Sequence, residues 1–349
     1  MHYKCTVKSQ NYNRGYKIMH NLKYTPAVEK ETEEIYHRVQ NVITPARWQS
    51  MAPLIVEINR LKREKNAVIL AHNYQTPDIF YGVADIVGDS LKLAQEATKT
   101  TADIIVQAGV YFMAETAKIL NPQKTVLIPD PLAGCSLASS ITPDDVALMR
   151  SKYPGATVVS YVNTSAAVKA VSDVCVTSGN AEKIVEAIES DEIIFLPDQY
   201  LAHYVATKTT KKIYAWKGAC EVHELFTGKY VDELRAEHKN IVVLAHPECP
   251  PDVLEASDYI GSTAQMQTYI EQKQPARVVL ITECSMSDNL FAANPNLEFI
   301  RPCQLCPHMK RIDLEKILHS LETMTHEVLI DPDIITAARR PIDRMLELS

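Results

Sequence analysis

Ala67-Val68-Ile69-Leu70-Ala71-His72-Asn73-Tyr74 is an apolar run that turns polar at once. This is the pattern of a strand buried on both faces that surfaces only at its carboxyl end. The same form recurs at Thr157-Val158-Val159-Ser160-Tyr161-Val162-Asn163 and at Ile241-Val242-Val243-Leu244-Ala245-His246-Pro247-Glu248. With His72, Tyr161 and His246 in register, the copies lie 89 and 85 residues apart. Self-similarity at a near-fixed spacing marks an internal repeat.

Two further features keep the register. Asp85-Ile86-Val87-Gly88-Asp89-Ser90, Asp173-Val174-Cys175-Val176-Thr177-Ser178 and Asp258-Tyr259-Ile260-Gly261-Ser262-Thr263 each open on Asp and close on a hydroxyl five positions later. Helix-forming segments follow, so Ser90, Ser178 and Thr263 are expected as helix N-caps. Strand-like runs come next at 103–107 and 125–128, at 192–196 and 212–215, and at 277–281 and 297–300. After the last of each pair stands one cysteine, Cys135, Cys220 and Cys306, spaced by 85 and 86 residues.

Short apolar strands alternating with helix-length segments predict parallel sheets covered by crossover helices. The expected fold class is α/β: three homologous α/β/α domains, each with a roughly four-stranded parallel sheet, in a pseudo-threefold arrangement. The strand carboxyl ends would face a central active site, where such sheets bind ligands. The expected spans are 46–151 with Cys135, 152–238 with Cys220 and 239–319 with Cys306. An extension, 1–45, poorly ordered in part, precedes them. A helical tail, 320–349, packs back on an earlier domain; the pattern from Leu314 onward breaks at Asp331-Pro332-Asp333.

The chain has 349 residues, 46% hydrophobic and 23% charged, which is enough for buried cores in two or three domains. A net charge of −7 argues against a general nucleic-acid or anionic-membrane binder and leaves a small molecule as the expected partner. No apolar run approaches the roughly 18 residues of a membrane span. The polar opening lacks a signal-peptide centre. Residues 1–28 carry five basic residues and no acid but only one Ser and no amphipathic repeat. A cytoplasmic location is expected, and there eight cysteines favour thiols, metal ligands or redox pairs over a disulfide framework.

If the repeat closes a triangle, Cys135, Cys220 and Cys306 meet at its axis. Structural zinc takes four protein ligands, and an electron-transfer [4Fe-4S] cluster takes four cysteines. Three cysteines on such a cluster leave one iron open as a Lewis acid, which suits dehydration and condensation. Cys303-Gln304-Leu305-Cys306 is a CxxC that alone reads as a redox pair or half a zinc site, but no second CxxC accompanies it. Cys5, Cys175, Cys249 and Cys284 read as bystanders, Cys175 as a core residue within a strand.

Eight motifs occur in order from about residue 55 onward. They are Ala71-His72-Asn73-Tyr74, Gly88-Asp89-Ser90, Tyr111-Phe112-Met113-Ala114-Glu115-Thr116-Ala117-Lys118, Tyr161-Val162-Asn163-Thr164-Ser165-Ala166, the stretch from Lys217 to Glu224 around Cys220, His246-Pro247-Glu248, Gly261-Ser262-Thr263 and Cys306-Pro307. Together they resemble the quinolinate synthase family. The resemblance implies condensation of iminosuccinate with dihydroxyacetone phosphate to quinolinate, a precursor of NAD, with loss of phosphate and two waters. It implies a [4Fe-4S] cluster on Cys135, Cys220 and Cys306, and as a further partner the L-aspartate oxidase that supplies iminosuccinate.

By motif, the iminosuccinate contacts fall on His72, Ser90, Tyr161, Val162, Asn163, Ser178, His246, Pro247, Glu248 and Thr263. Hydroxyls and N–H groups at helix starts suit carboxylates and phosphate. Tyr74, His223 and Glu248 are the candidates for proton transfer. Some family members carry a further cysteine three residues before the CxxC. Ile300 stands there, which speaks against a disulfide switch.

Blander readings stand beside these. Isolated hydroxyls before helices are most often plain caps, and isolated histidines are most often structural. A diphthamide-synthesis-like enzyme that cleaves S-adenosylmethionine, or a non-catalytic iron-sulfur sensor, would also place one cysteine in each of three α/β domains.

Overall fold

The structure is a computed structural model that describes residues 22–302 and 304–349. Cys5, Cys303 and the first 21 residues of the expected extension lie outside the described residues. Twelve strands among the described residues form three four-stranded, all-parallel sheets. The first contains β1 (Ala67–His72), β2 (Ile86–Gly88), β3 (Ile104–Ala108) and β4 (Thr125–Leu127), in spatial order β2-β1-β3-β4. The second contains β5 (Thr157–Tyr161), β6 (Val174–Val176), β7 (Glu192–Leu196) and β8 (Lys212–Ala215), ordered β6-β5-β7-β8. The third contains β9 (Val242–Ala245), β10 (Tyr259–Ile260), β11 (Arg277–Ile281) and β12 (Glu298–Ile300), ordered β10-β9-β11-β12. One topology therefore occurs three times, the α/β class expected from the repeat.

Both faces of each central strand are buried, which is why the strands read as unbroken apolar runs. In the third sheet Val243, Ala245, Val279 and Ile281 enter one core, while Leu244, Val278 and Leu280 enter the core on the opposite face. The second sheet divides the same way, with Val159, Tyr161, Ile193 and Phe195 on one side and Val158, Ile194 and Leu196 on the other. Each such aliphatic burial is worth about 1.5–3 kcal/mol.

A helix leads into each sheet: Pro45–Glu64, Pro143–Lys152 and Gly228–Glu237. The second and third close the preceding domain in the sequence reading. Yet Val146 and Met149 pack under the second sheet, and Val231 and Leu234 pack on the third. Each unit is thus a helix followed by its four strands.

The Asp that opens each repeated marker ties this helix down. Asp85, Asp173 and Asp258 each accept the backbone N–H of the neighbouring first strand, from Ile69 (2.8 Å), Val158 (2.7 Å) and Val243 (2.8 Å). Each also pairs with a cation from the leading helix: Lys62 (2.7 Å), Arg150 (2.9 Å) and Arg235 (2.9 Å). Every cation completes the latch by donating to a backbone carbonyl, of Val83, Val171 and Ala256.

The Lys62 side chain is 10% exposed and that of Arg150 is 40% exposed, so the two latches should not cost the same to break. Asp85→Ala leaves a buried ammonium unpaired and should lower unfolding stability by about 3 kcal/mol. Asp173→Ala should cost only about 1 kcal/mol. Equal shifts of the two denaturant midpoints would contradict this ranking.

Part of the expected extension is helical, since Pro26–Val39 forms a helix capped by Thr25 and contributes Val39 to the main core. Helices Leu314–Thr323 and Pro332–Leu348 follow the third sheet, the latter capped by Asp331. It packs Ala338, Ile342 and Met345 into the main core, beside helix Ala166–Ala170 and β6. No described helix is long and apolar enough to cross a membrane.

Candidate active site

Strands β1, β5 and β9 end at His72, Tyr161 and, one residue past the strand, His246. All three side chains line one cavity. The sheets therefore turn their carboxyl ends to a common space. Cys135, Cys220 and Cys306 line it too.

A repeated backbone bond brings the cysteines there. The N–H of the first residue of the helix after the third strand donates to the carbonyl two residues before the cysteine. The bonds are Tyr111 to Ala133 (2.7 Å), Gln199 to Gly218 (2.8 Å) and Cys284 to Gln304 (2.9 Å). Gly218 must lack a side chain, because a Cβ there would lie 2.5 Å from the Pro197 carbonyl and from Ser140 Oγ. Each sulfur then faces backbone N–H groups two and three residues ahead: Leu137 and Ala138, Val222 and His223, His308 and Met309.

Tyr74, Ser90, Asn163, Ser178, His223, Glu248 and Thr263 complete the cavity lining among the residues named from sequence. Val162 and Pro247 do not line it. The Val162 N–H is tied to Val176 O (2.9 Å), and Pro247 is buried.

The hydroxyls expected as N-caps are not caps. Asp89 and Ser262 cap their helices, accepting the N–H of Lys92 (2.9 Å) and of Gln265 (3.3 Å). Asn180 holds the third cap position. Ser90 and Thr263 are instead the first helical residues, and Ser178 lies ahead of the cap. Asp89 and Ser262 bond N–H groups further into their helices, which leaves the Ser90 and Thr263 hydroxyls to face the cavity that Ser178 also lines.

A hydrogen-bonded chain crosses the cavity wall. Tyr74 O–H donates to Thr282 Oγ1 (2.5 Å), the Thr282 hydroxyl to His223 Nε2 (2.9 Å), and His223 Nδ1–H to Glu248 Oε2 (2.9 Å). Tyr161 O–H donates to Glu248 Oε1 (2.5 Å). Burial pushes the Glu248 carboxyl up. The facing His246 and His223, with the hydrogen bonds from His223 and Tyr161, outweigh that and hold it below the usual carboxylate range. Glu248 is therefore an ionised acceptor. Burial, and then the charge of Glu248, push Tyr74 and Tyr161 well above the ordinary phenol.

His72 and His246 are neutral. The Nδ1 of each accepts a backbone N–H, from Tyr74 (3.2 Å) and Glu248 (3.4 Å), which leaves Nε2 to carry the ring proton. Burial pushes them down to about 4 and about 3, against a pull upward from Glu248. In the unfolded chain both bind a proton below about 6.5, so the unfolded state holds more protons and stability declines as pH falls from about 6.5 to about 4. His246→Gln removes one such group. The stability gap between wild type and this variant should narrow by about 2 kcal/mol from pH 7 to pH 5, and a constant gap would contradict a neutral His246.

Cys220, His223 and Glu248 form a group of donors within 4.8 Å of one another, able to hold a metal ion. Cys220 Sγ lies 3.2 Å from His223 Nδ1.

Residues 56–347 match the family described as quinolinate synthetase A protein (NadA). The chain belongs to the quinolinate synthase family. It is 60% identical over 314 residues to the quinolinate synthase of Agrobacterium fabrum, covering 90% of this chain and 91% of that one. It is 61% identical over 294 residues to that of Xylella fastidiosa, covering 84% and 87%. It is 56% identical over 328 residues to that of Sinorhizobium medicae, covering 94% and 91%. This family identity makes the chain an enzyme and sets aside the sensor reading.

Four residues of this quinolinate synthase family member escaped the sequence reading: Thr282, Glu283, Lys310 and Asp198. Glu283 is fully buried, caps helix Cys284–Ala293 and accepts from Lys310 Nζ (3.1 Å) and the Cys306 N–H (3.4 Å). Lys310 also donates to the Tyr74 carbonyl (2.5 Å), joining the first and third units. Asp198 holds the position equivalent to Glu283, also as a fully buried cap. Acids 85 residues apart just past β7 and β11 were the available signal.

Cys175 lies within β6 and is fully buried, and Cys249 and Cys284 are buried away from the cavity lining.

Proposed function

We propose that this enzyme condenses iminosuccinate with dihydroxyacetone phosphate to quinolinate, releasing phosphate and two waters, in the biosynthesis of NAD. The observation that carries the reading is the convergence of three cysteine loops on the cavity that also holds the Tyr74–Thr282–His223–Glu248 chain. An L-aspartate oxidase fits as the source of iminosuccinate.

The donor set fits a [4Fe-4S] cluster on Cys135, Cys220 and Cys306. Burial pushes the Cys135 thiol up to about 12, the Cys306 thiol up to about 11, and the Cys220 thiol well above its ordinary value. Such thiols ionise only against a strong local cation, and iron supplies one. Two N–H groups face each sulfur, and no fourth cysteine lines the cavity among the described residues. When bound, the cluster supplies a Lewis-acidic iron without a protein ligand.

The chain's own residues do the rest. Neutral His72 and His246 present Nε2–H donors to the dicarboxylate, with Ser90, Ser178, Thr263 and Asn163 around it. Glu248, ionised and closed off from water, accepts a substrate proton. His223 and Thr282 link that carboxylate to Tyr74, so a proton can pass along the chain during dehydration and tautomerisation. The test is direct. Protein purified and reconstituted without oxygen should form quinolinate only when both substrates are present, and absence of product with iron and sulfide in place would sink the reading.

A further inference from the structure

The run from Tyr111 to Lys118 is a family motif to which the reading above gives no task, and its helix packs against a buried cation. Lys169, in helix Ala166–Ala170, is fully buried. Its ammonium donates to the carbonyls of Val162 (2.8 Å) and Thr164, the two residues flanking Asn163. It also lies over the Phe112 ring, 5.5 Å from the centroid.

Glu115, one turn further along the motif helix, accepts the Ala166 N–H (3.0 Å), and burial pushes Lys169 down and Glu115 up, each shift opposed by the charge of the other. Asn163 lines the cavity, and its Oδ1 is buried without a hydrogen-bond partner among the described residues.

We propose that Lys169 is a positioning residue that sets the loop around Asn163 against the dicarboxylate substrate, locked to the first domain by Phe112 and Glu115. A buried ammonium is a costly way to fill space, since an apolar chain of equal length packs with no charge to desolvate. What the ammonium adds is direction. By holding the carbonyls of the residues before and after Asn163, it fixes the backbone from which the Asn163 side chain reaches the cavity.

This inference rests on the reading of Asn163 as a contact to iminosuccinate, and the experiment separates the two. KM and kcat are measured with iminosuccinate formed from oxaloacetate and ammonia, for Lys169→Met, Asn163→Ala and the double variant. Thermal midpoints are recorded for each. Both single variants should raise KM about tenfold and change kcat less than about threefold, because bound geometry is lost while the proton chain is untouched. The double variant should be no worse than the poorer single one, since both act through one contact.

A folded Lys169→Met protein with wild-type KM, beside an Asn163→Ala protein with raised KM, overturns the positioning role alone. Wild-type KM in Asn163→Ala overturns the substrate contact and the inference with it. If Lys169→Met does not fold, Glu115→Gln decides. It keeps an oxygen for Ala166 but removes the charge facing Lys169, so a raised KM supports the role and an unchanged KM overturns it.

Discussion

Glu248→Gln should lower kcat about 10³-fold while leaving the fold intact, the loss typical of removing a positioned general base. The side chain accepts two hydrogen bonds, from Tyr161 and from His223, with no water-exposed face to spare. Glutamine is the same size but brings an NH₂ group to one of those donors. Donor then faces donor either at Tyr161 or at the His223 end of the chain from Tyr74, and no carboxylate is left to take a proton. Because Glu248 stays ionised well below neutral pH, its removal should lower the plateau of kcat between pH 6 and 8 rather than move the acid limb. Tyr161→Phe leaves the carboxylate and the His223 bond in place and should cost less, about tenfold. Measuring kcat at saturating substrates across that range checks both. A Glu248→Gln protein with more than a tenth of wild-type kcat would remove Glu248 from the chemistry.

Whether a feature was legible in sequence depended on whether its physical cause was local. β5 and β11 are buried on both faces, so their apolar runs betray them. β6 and β10 are only three and two residues long, and they are visible only because the marker recurs in register with longer strands. The caps are ambiguous in sequence because two good cap formers stand side by side, Asp89 before Ser90 and Ser262 before Thr263. Only backbone geometry tells which oxygen reaches the third amide of the helix.

The opening Asp of each marker shows no role in sequence, since its partners Lys62, Arg150 and Arg235 each lie 23 residues upstream on another element. Thr282 and Lys310 were invisible for a stronger version of the same reason. Their contacts to Tyr74 join segments more than 200 residues apart. What the resemblance added was the chemistry of residues such as Asn163, which no periodicity distinguishes.

Cys135→Ser, Cys220→Ser and Cys306→Ser should each abolish quinolinate formation and release most of the iron, from about four atoms per chain in the reconstituted wild type. A serine hydroxyl in a dry pocket is harder still to ionise than these thiols, and it lacks the soft sulfur that iron-sulfur clusters select. Cys175→Ser, Cys249→Ser and Cys284→Ser serve as controls and should keep the iron, because their buried sulfurs do not line the cavity. The comparison also separates the cluster from the other metal arrangement the site permits. A single ion held by Cys220, His223 and Glu248 would survive loss of Cys135 or Cys306, since neither belongs to that group. It would also draw His223 and Glu248 out of the bond they make to each other, and so break the proton chain. Metal lost equally from all three cysteine variants therefore favours the cluster. Metal lost only with Cys220 would move the centre to one side of the cavity and undo the role given to the repeat.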